Sequence, residues 1–350
     1  MEVKALKFGG LTAKRPIVQG GMGVGVSLSS LAGNVAKCGG VGTISGVHPG
    51  YREADFKENP FRANLRAIGN ELEKAKEIAN GGIIGFNFMT VMNHYEEYVK
   101  EAIDAGADFI VSGAGLPVNL AKYAAGTRAA ILPIVSSARA LKLIVKQWQR
   151  ADRLPDAVVV EGPLAGGHLG YPYGHLVDGT FDTLEDSLVD VVDYVRELEE
   201  KNGVKIPVIA GGGVRNHADM ERLMALGASG VQVGTKFVAT EECDAAPAFK
   251  QAYLRSRKED VQLIESPVGL AARAIRNSFL EKVEKQGRIP VQRCYQCMNH
   301  CKQAETKYCI SQALIDAVQG REGLVFCGAN AYEIEKLSTV EKVMQELCGE

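Results

Sequence analysis

Eight short apolar runs, each ending in glycine or a small polar residue and each followed by a helix-like stretch, constrain this 350-residue chain more than any other feature. They read PIVQGGM from Pro16, GVGTISG from Gly40, GIIGFNFM from Gly82, ADFIVSGAG from Ala107, AAILPIVSS from Ala129, DAVVVEGP from Asp156, IPVIAGGG from Ile206 and SGVQVGT from Ser229. The runs are nearly continuous in apolar residues instead of alternating, as parallel strands buried on both faces require. Between them, residues 185–201 and 217–227 repeat with helical period, the second closed by a C-terminal glycine. Eight strand–helix units in the first 240 residues predict an α/β fold of the (β/α)8 TIM-barrel type, with residues 241–350 as a further segment. A doubly wound open sheet is the alternative.

In a barrel, functional residues gather just after the strands, at the C-terminal face. Glycines and polar residues do collect there, in QGGMG, GFN, SGAGLP, EGPLAGGHLG, AGGGV and QVGT. Tight turns need some glycine anyway, but paired and tripled glycines with His168 among them exceed that need. The GGMGVG stretch from Gly20 is no dinucleotide fingerprint: counted from Gly21 and Gly23, its third glycine would fall at Val26, and no acidic residue stands near Gly40. After the seventh and eighth runs come Gly211, Gly212 and Gly213, then Gln232, Gly234 and Thr235. Side-chain-free backbone at that place converges N–H groups on a phosphate, with Gln232 and Thr235 adding hydrogen bonds. No G-x-x-x-x-G-K-[ST] is present, so a monophosphate cofactor or substrate is expected over a nucleoside triphosphate. Flavin mononucleotide (FMN), pyridoxal phosphate and a sugar phosphate stay open, with Lys236 near the place a Schiff-base lysine would need.

Composition narrows the setting. Hydrophobic residues at 46% and charged ones at 23% mark a globular chain, and 40 basic against 42 acidic residues with no basic run argue against nucleic acid. The opening MEVKALKFGG lacks an apolar core, and no stretch is long enough to span a bilayer. A cytoplasmic enzyme without membrane insertion is expected, where clustered thiols bind metal more often than they pair. Half of the eight cysteines do cluster: Cys294, Cys297, Cys301 and Cys309, spaced C-x2-C-x3-C-x7-C. They supply four thiolates for a [4Fe–4S] cluster or, alternatively, a tetrahedral zinc. Cys243 is a possible substitute ligand, and so is His300 inside the loop. Cys38, Cys327 and Cys348 read as ordinary core or surface residues, and His48, His94, His175 and His217 as packing or solvent residues, with His175 near enough to His168 to line a pocket.

Taken together, PIVQGGMG, GFNFM, SGAGLP, GPLAGGHLG, IPVIAGGGV, GVQVGTKFVATEEC and SPVGLAARAI resemble the nitronate monooxygenase (2-nitropropane dioxygenase) family, which includes the flavin-dependent enoyl-acyl-carrier-protein reductase II. The resemblance runs in order from Pro16 to Asn277. It implies an FMN-binding TIM barrel over residues 1–240 and a smaller C-terminal helical, cysteine-rich lid domain over 241–350, some of it packing back onto the barrel. Carried over by motif, Gly21, Met22 and Gly23 would lie against the isoalloxazine. Asn87, Gly113 and Gly167 would touch the ring or ribityl chain, and Gly212, Gly213, Gln232, Gly234 and Thr235 would hold the phosphate. His168 matches the family's active-site histidine. The chain departs from the family's E-A-G-G-H with Pro163-Leu164-Ala165-Gly166-Gly167-His168, which removes one carboxylate, although Glu161 lies nearby. The cysteine loop and the turns QGGMGVG, LAGNVAK, EGPLAGGH and GREGLVFCGANAY resemble a smaller subgroup with an iron–sulfur cluster that dehydrogenates and isomerises decanoyl-ACP in unsaturated fatty-acid synthesis. The resemblance implies His168, expected to titrate near neutrality, as general base, FMN as hydride acceptor, and oxygen or another acceptor for the electrons. The substrate would be bound to acyl carrier protein or be a free small molecule. Nitronate oxidation and NAD(P)H-driven enoyl reduction are the alternatives, and a homodimer stays open.

Overall fold

The computed structural model describes residues 4–298 and 301–350. A hairpin comes first, β1 (Leu6–Phe8) paired antiparallel with β2 (Leu11–Ala13). The apolar runs follow as β3 (Ile17–Gln19), β4 (Val41–Ser45), β5 (Ile83–Met89), β6 (Phe109–Gly113), β7 (Ala130–Val135) and β8 (Val158–Glu161). An extra strand, β9 (Gly167–Leu169), precedes the last two runs, β10 (Val208–Gly211) and β11 (Gly230–Val233). All eight runs join a closed parallel barrel in the order β3-β4-β5-β6-β7-β8-β10-β11, and β11 returns to pair with β3. The open-sheet alternative is thereby excluded.

Strand parity explains why the runs are apolar throughout. Val18, Val41, Phe109, Val111, Ala130, Leu132, Val159 and Ile209 point inward and form one core with Leu6, Phe8 and Ala13 of the hairpin. Their neighbours Ile17, Ile44, Ile110, Ile131, Val158, Val160 and Val231 point outward into a second core shared with the helices. The hairpin stoppers the N-terminal end: Gly9 turns at φ +52°, and a Cβ there would come within 2.6 Å of Ala130 at the start of β7. Only the C-terminal face is left open.

Beyond the barrel, β12 (Val261–Glu265) and β13 (Ala271–Ile275) form a three-stranded antiparallel sheet with β9, in the order β12-β13-β9. The expected helical lid therefore also contains a sheet, one of whose strands is contributed by the turn after β8. Helices Pro247–Arg255, Ser278–Gln286 and Ile310–Val318 complete this region. The chain then returns. Helix Val340–Cys348 packs against Ser29–Lys37 and His217–Ala225, the helices that follow β3 and β10, and so occupies the eighth helix position of the barrel. Only the one-turn helix Thr235–Val238 directly follows β11. No helix among the described residues is long and apolar enough to cross a membrane.

Candidate active site

One further step of the inward parity brings Ser45, Asn87, Gly113, Ile134, Glu161 and Gln232 to the mouth of the barrel, where all six line a cavity of about 460 Å3. That volume falls within the roughly 300–1,000 Å3 of ligand and cofactor sites. Gly21, Met22, Gly23, Gly167, His168, Gly212, Gly213, Gly234 and Thr235 line the same cavity, whereas Gly211 does not. Three glycines show why that place stays open. Gly212 and Gly213 sit at φ +101° and +93°, where side chains are strained, and a Cβ on Gly21 would collide with the Asn87 side chain. Lys236 also lines the cavity, but its ammonium is 2.6 Å from Glu346 and thus already engaged.

The turn after β8 is clamped from two sides. The buried Arg273 guanidinium of β13 donates to the carbonyls of Pro163 and Ala165, and the Ala329 N–H donates to Leu164 O at 3.1 Å. Cys327 N–H in turn donates to Arg273 O at 3.0 Å. This clamp delivers His168 into β9, opposite Ala272 of β13. There its Nε2 lies 2.7 Å from Ser266 Oγ, and the Phe326 ring stands edge-on at 5.0 Å. Cys327 belongs to the core, as expected, and also reaches the cavity wall; burial pushes its thiol up to about 12, so it presents no thiolate.

Burial reverses the usual order of the two titratable groups here. It pushes the half-buried His168 down to about 4. It pushes the Glu161 carboxyl up to about 8. Tyr171 donates its hydroxyl hydrogen to the Glu161 backbone carbonyl at 3.1 Å. Sequence reasoning assigned no role to Glu161, Ser45, Ser266, Arg273 or Phe326. Strand parity, counting from Val159 to Glu161, was the available signal for the first.

A second cleft, of about 980 Å3, shares Ala114, Ile134, Glu161 and His168 with the first and runs along Ser266–Pro267 to Cys301, Lys302 and Lys307. Behind it, Cys294, Cys297, Cys301 and Cys309 line one cavity of about 180 Å3, together with Asn93 and Tyr308. The buried Tyr308 hydroxyl and Asn93 Oδ1 have no hydrogen-bond partner among the described residues. Burial pushes the Cys297 thiol up to about 11. Among the described residues no three His, Cys, Asp or Glu side chains converge closely enough to hold a metal ion. Cys243 is not a substitute ligand: it is buried elsewhere, its Sγ 3.4 Å from Val26 O. His300 lies outside the described residues. His175 is exposed and lines neither cavity, whereas the His94 ring lies tilted against Phe61 at 4.2 Å and His217 Nδ1 meets Leu347 O at 2.9 Å.

A closed barrel with a glycine-floored cavity at its C-terminal mouth, and bare backbone after its seventh and eighth strands, defines the class of TIM-barrel enzymes that hold a phosphate-bearing group. The nitronate monooxygenase family model matches residues 4–350, so the chain belongs to that family of FMN-dependent oxidoreductases. A probable nitronate monooxygenase of Staphylococcus saprophyticus is 25% identical over 308 residues, covering 81% of this chain and 82% of that protein. Another from Bacillus subtilis is 25% identical over 288 residues, covering 77% and 79%. The structure of FabK from Thermotoga maritima superposes with a TM-score of 0.71 at 24% identity, over 96% of this chain and 92% of that one. A nitroalkane oxidase from Streptomyces ansochromogenes gives 0.66 at 20% identity, over 96% and 95%.

Proposed function

We propose that this oxidoreductase dehydrogenates and isomerises medium-chain acyl thioesters carried on acyl carrier protein, with FMN in the mouth cavity. The observation that carries this reading is the second cleft. It joins the cofactor cavity at Glu161 and His168, and its 980 Å3 far exceed what a small nitronate needs.

Gly21, Met22 and Gly23 would lie beneath the ring, Asn87, Gly113 and Gly167 along the ring and ribityl chain, and Gly212, Gly213, Gln232, Gly234 and Thr235 around the phosphate. The bare backbone of Gly212 and Gly213 suits that last task. When bound, FMN supplies a two-electron acceptor at the mouth. His168, held by Ser266, serves as the general base toward the carbon next to the thioester carbonyl. Electrons leave to oxygen or another acceptor. Anaerobic mixing with decanoyl-ACP should bleach the flavin absorbance, and a flavin that stays oxidised would sink the acyl reading. The family match favours one second reading, nitronate oxidation, for which rapid oxygen uptake with propyl nitronate would be decisive.

We further propose a [4Fe–4S] cluster on Cys294, Cys297, Cys301 and Cys309. Four thiols around one small cavity, with a buried unpaired hydroxyl among them, support it. Protein purified without oxygen should show a broad absorbance beside the flavin peaks and about four irons and four sulfides per chain. One zinc per chain with flavin peaks alone would replace the cluster by a zinc site.

A further inference from the structure

We propose that Ser311, oriented by His48 and Asn64, is a positioning residue of the four-cysteine site: its hydroxyl donates to the Cys297 sulfur and thereby tunes the metal group those cysteines hold. This rests on the reading of Cys294, Cys297, Cys301 and Cys309 as ligands of a cluster. It goes beyond that reading by giving control of the cluster to a chain of hydrogen bonds that begins on the barrel.

The chain runs in one direction, fixed by its donors and acceptors. Gly50 N–H donates to Asn64 Oδ1 at 3.1 Å, so the Asn64 amide nitrogen faces the other way. That nitrogen donates to the Tyr98 hydroxyl at 3.1 Å and to His48 Nδ1 at 3.3 Å. Nδ1 therefore accepts, which leaves the ring hydrogen on Nε2, 2.8 Å from Ser311 Oγ. Ser311 Oγ accepts it, and the hydroxyl's own hydrogen is left for the Cys297 sulfur that it contacts. His48, Asn64 and Ser311 are 4%, 1% and 2% exposed, so these bonds are shielded from solvent. The anchoring residues belong to the barrel: His48 lies just beyond β4, Asn64 on helix Pro60–Ala79 and Tyr98 on helix Tyr95–Asp104.

Placement ties this chain of bonds to the sulfurs. Ser311 stands in the first turn of helix Ile310–Val318, whose N-cap is Cys309. The backbone N–H groups of Ser311 and Gln312 meet the Cys309 sulfur. One helix N-terminus thus turns donors toward two of the four sulfurs, where its dipole also favours negative charge. Cys294, by contrast, is exposed and meets the Gln296 N–H of its own loop at 3.3 Å. The buried Tyr308 hydroxyl, without a partner among the described residues, is a further donor lining this cavity. A thiolate that accepts such bonds gives less electron density to its metal, which favours the reduced cluster and raises its potential.

The test is a redox titration of the anaerobically purified holoprotein, followed by electron paramagnetic resonance, with iron counted in each variant. Ser311→Ala should keep its iron and titrate at lower potential. The redox equilibrium should move about tenfold, which is about 59 mV for one electron. Ser311→Thr, which keeps the hydroxyl, should titrate like wild type. His48→Asn should shift as Ser311→Ala does, because Asn tolerates the φ of +50° at this position and is too short to reach Ser311. A Ser311→Ala cluster with the wild-type midpoint overturns the proposal, whether or not His48→Asn folds. One zinc and no iron in wild type would sink the cluster reading alone. The hydrogen bond is then read from zinc release to a chelator: about tenfold faster release from Ser311→Ala upholds it, and an equal rate overturns it. A wild type that holds neither metal overturns both.

Discussion

His48 and His168 enter two different enclosed settings, and burial pushes both down to about 4. At His48 the hydrogen bonds fix the uncharged form. Asn64 Oδ1 accepts from Gly50 N–H, so its amide nitrogen must donate to His48 Nδ1 at 3.3 Å, which leaves Nε2 to donate to Ser311 Oγ at 2.8 Å. An imidazole near 6.5 unfolded and about 4 folded binds more protons unfolded between those values. Stability therefore rises with pH across that window and is lost as pH falls from about 6.5 to 4. For the fully enclosed His48 this is on the order of 3 kcal/mol. Replacing His48 by Gln should flatten the dependence, checked by urea midpoints at pH 5 and pH 7.5; an equally steep acid loss would refute the assignment. At His168 the expected change is in chemistry. His168→Ala should keep its flavin but lower kcat by about 10–10², and the pH–rate profile should show no limb near 6.5. The glycines and His168 were legible in the sequence because each position demands a particular residue type. Glu161 was noted only as lying nearby, because PLAGGH drew attention to a missing acid and not to the strand parity that turns Glu161 into the mouth.

Among elements, the turn joining β8 to β9 bears the greatest constraint. A Cβ on Gly166 would fall 2.8 Å from the Cys327 carbonyl carbon and the Gly328 nitrogen, backbone atoms that cannot swing aside. Gly166→Ala should push the 326–330 loop off the turn, costing about 1–3 kcal/mol and loosening the cofactor, read by thermal melting and by flavin lost on gel filtration. The eight barrel strands were legible because burial on both faces writes an unbroken apolar run for each. The hairpin and β9 were not, since three residues carry no period, and neither was the antiparallel lid sheet. Ala271–Ile275 is AARAI, a composition that favours helix, yet it is wholly buried between β12 and β9. Its partners lie about a hundred residues apart, so no local pattern announces the pairing.

The whole molecule closes through its last helix. Val340, Val343, Met344 and Leu347 are buried against the barrel, and Val340 N–H donates to Glu242 at 3.0 Å. Four such side chains contribute about 6–12 kcal/mol together, comparable with a whole domain's stability of about 5–15 kcal/mol. Deleting residues 339–350 should therefore leave a chain that melts without a cooperative transition by circular dichroism. The intact protein should melt in one step, since the lid lies between the eighth strand and its helix. The lid sheet carries one more implication. The imidazole at the mouth rides on β9, whose partner is β13, whereas the glycines that floor the cavity belong to the barrel. Two mechanical owners meet over one reacting centre. Evolution can re-aim the histidine by drift within the lid while the coenzyme's footing stays fixed, and a lineage can so exchange its diet without rebuilding its engine.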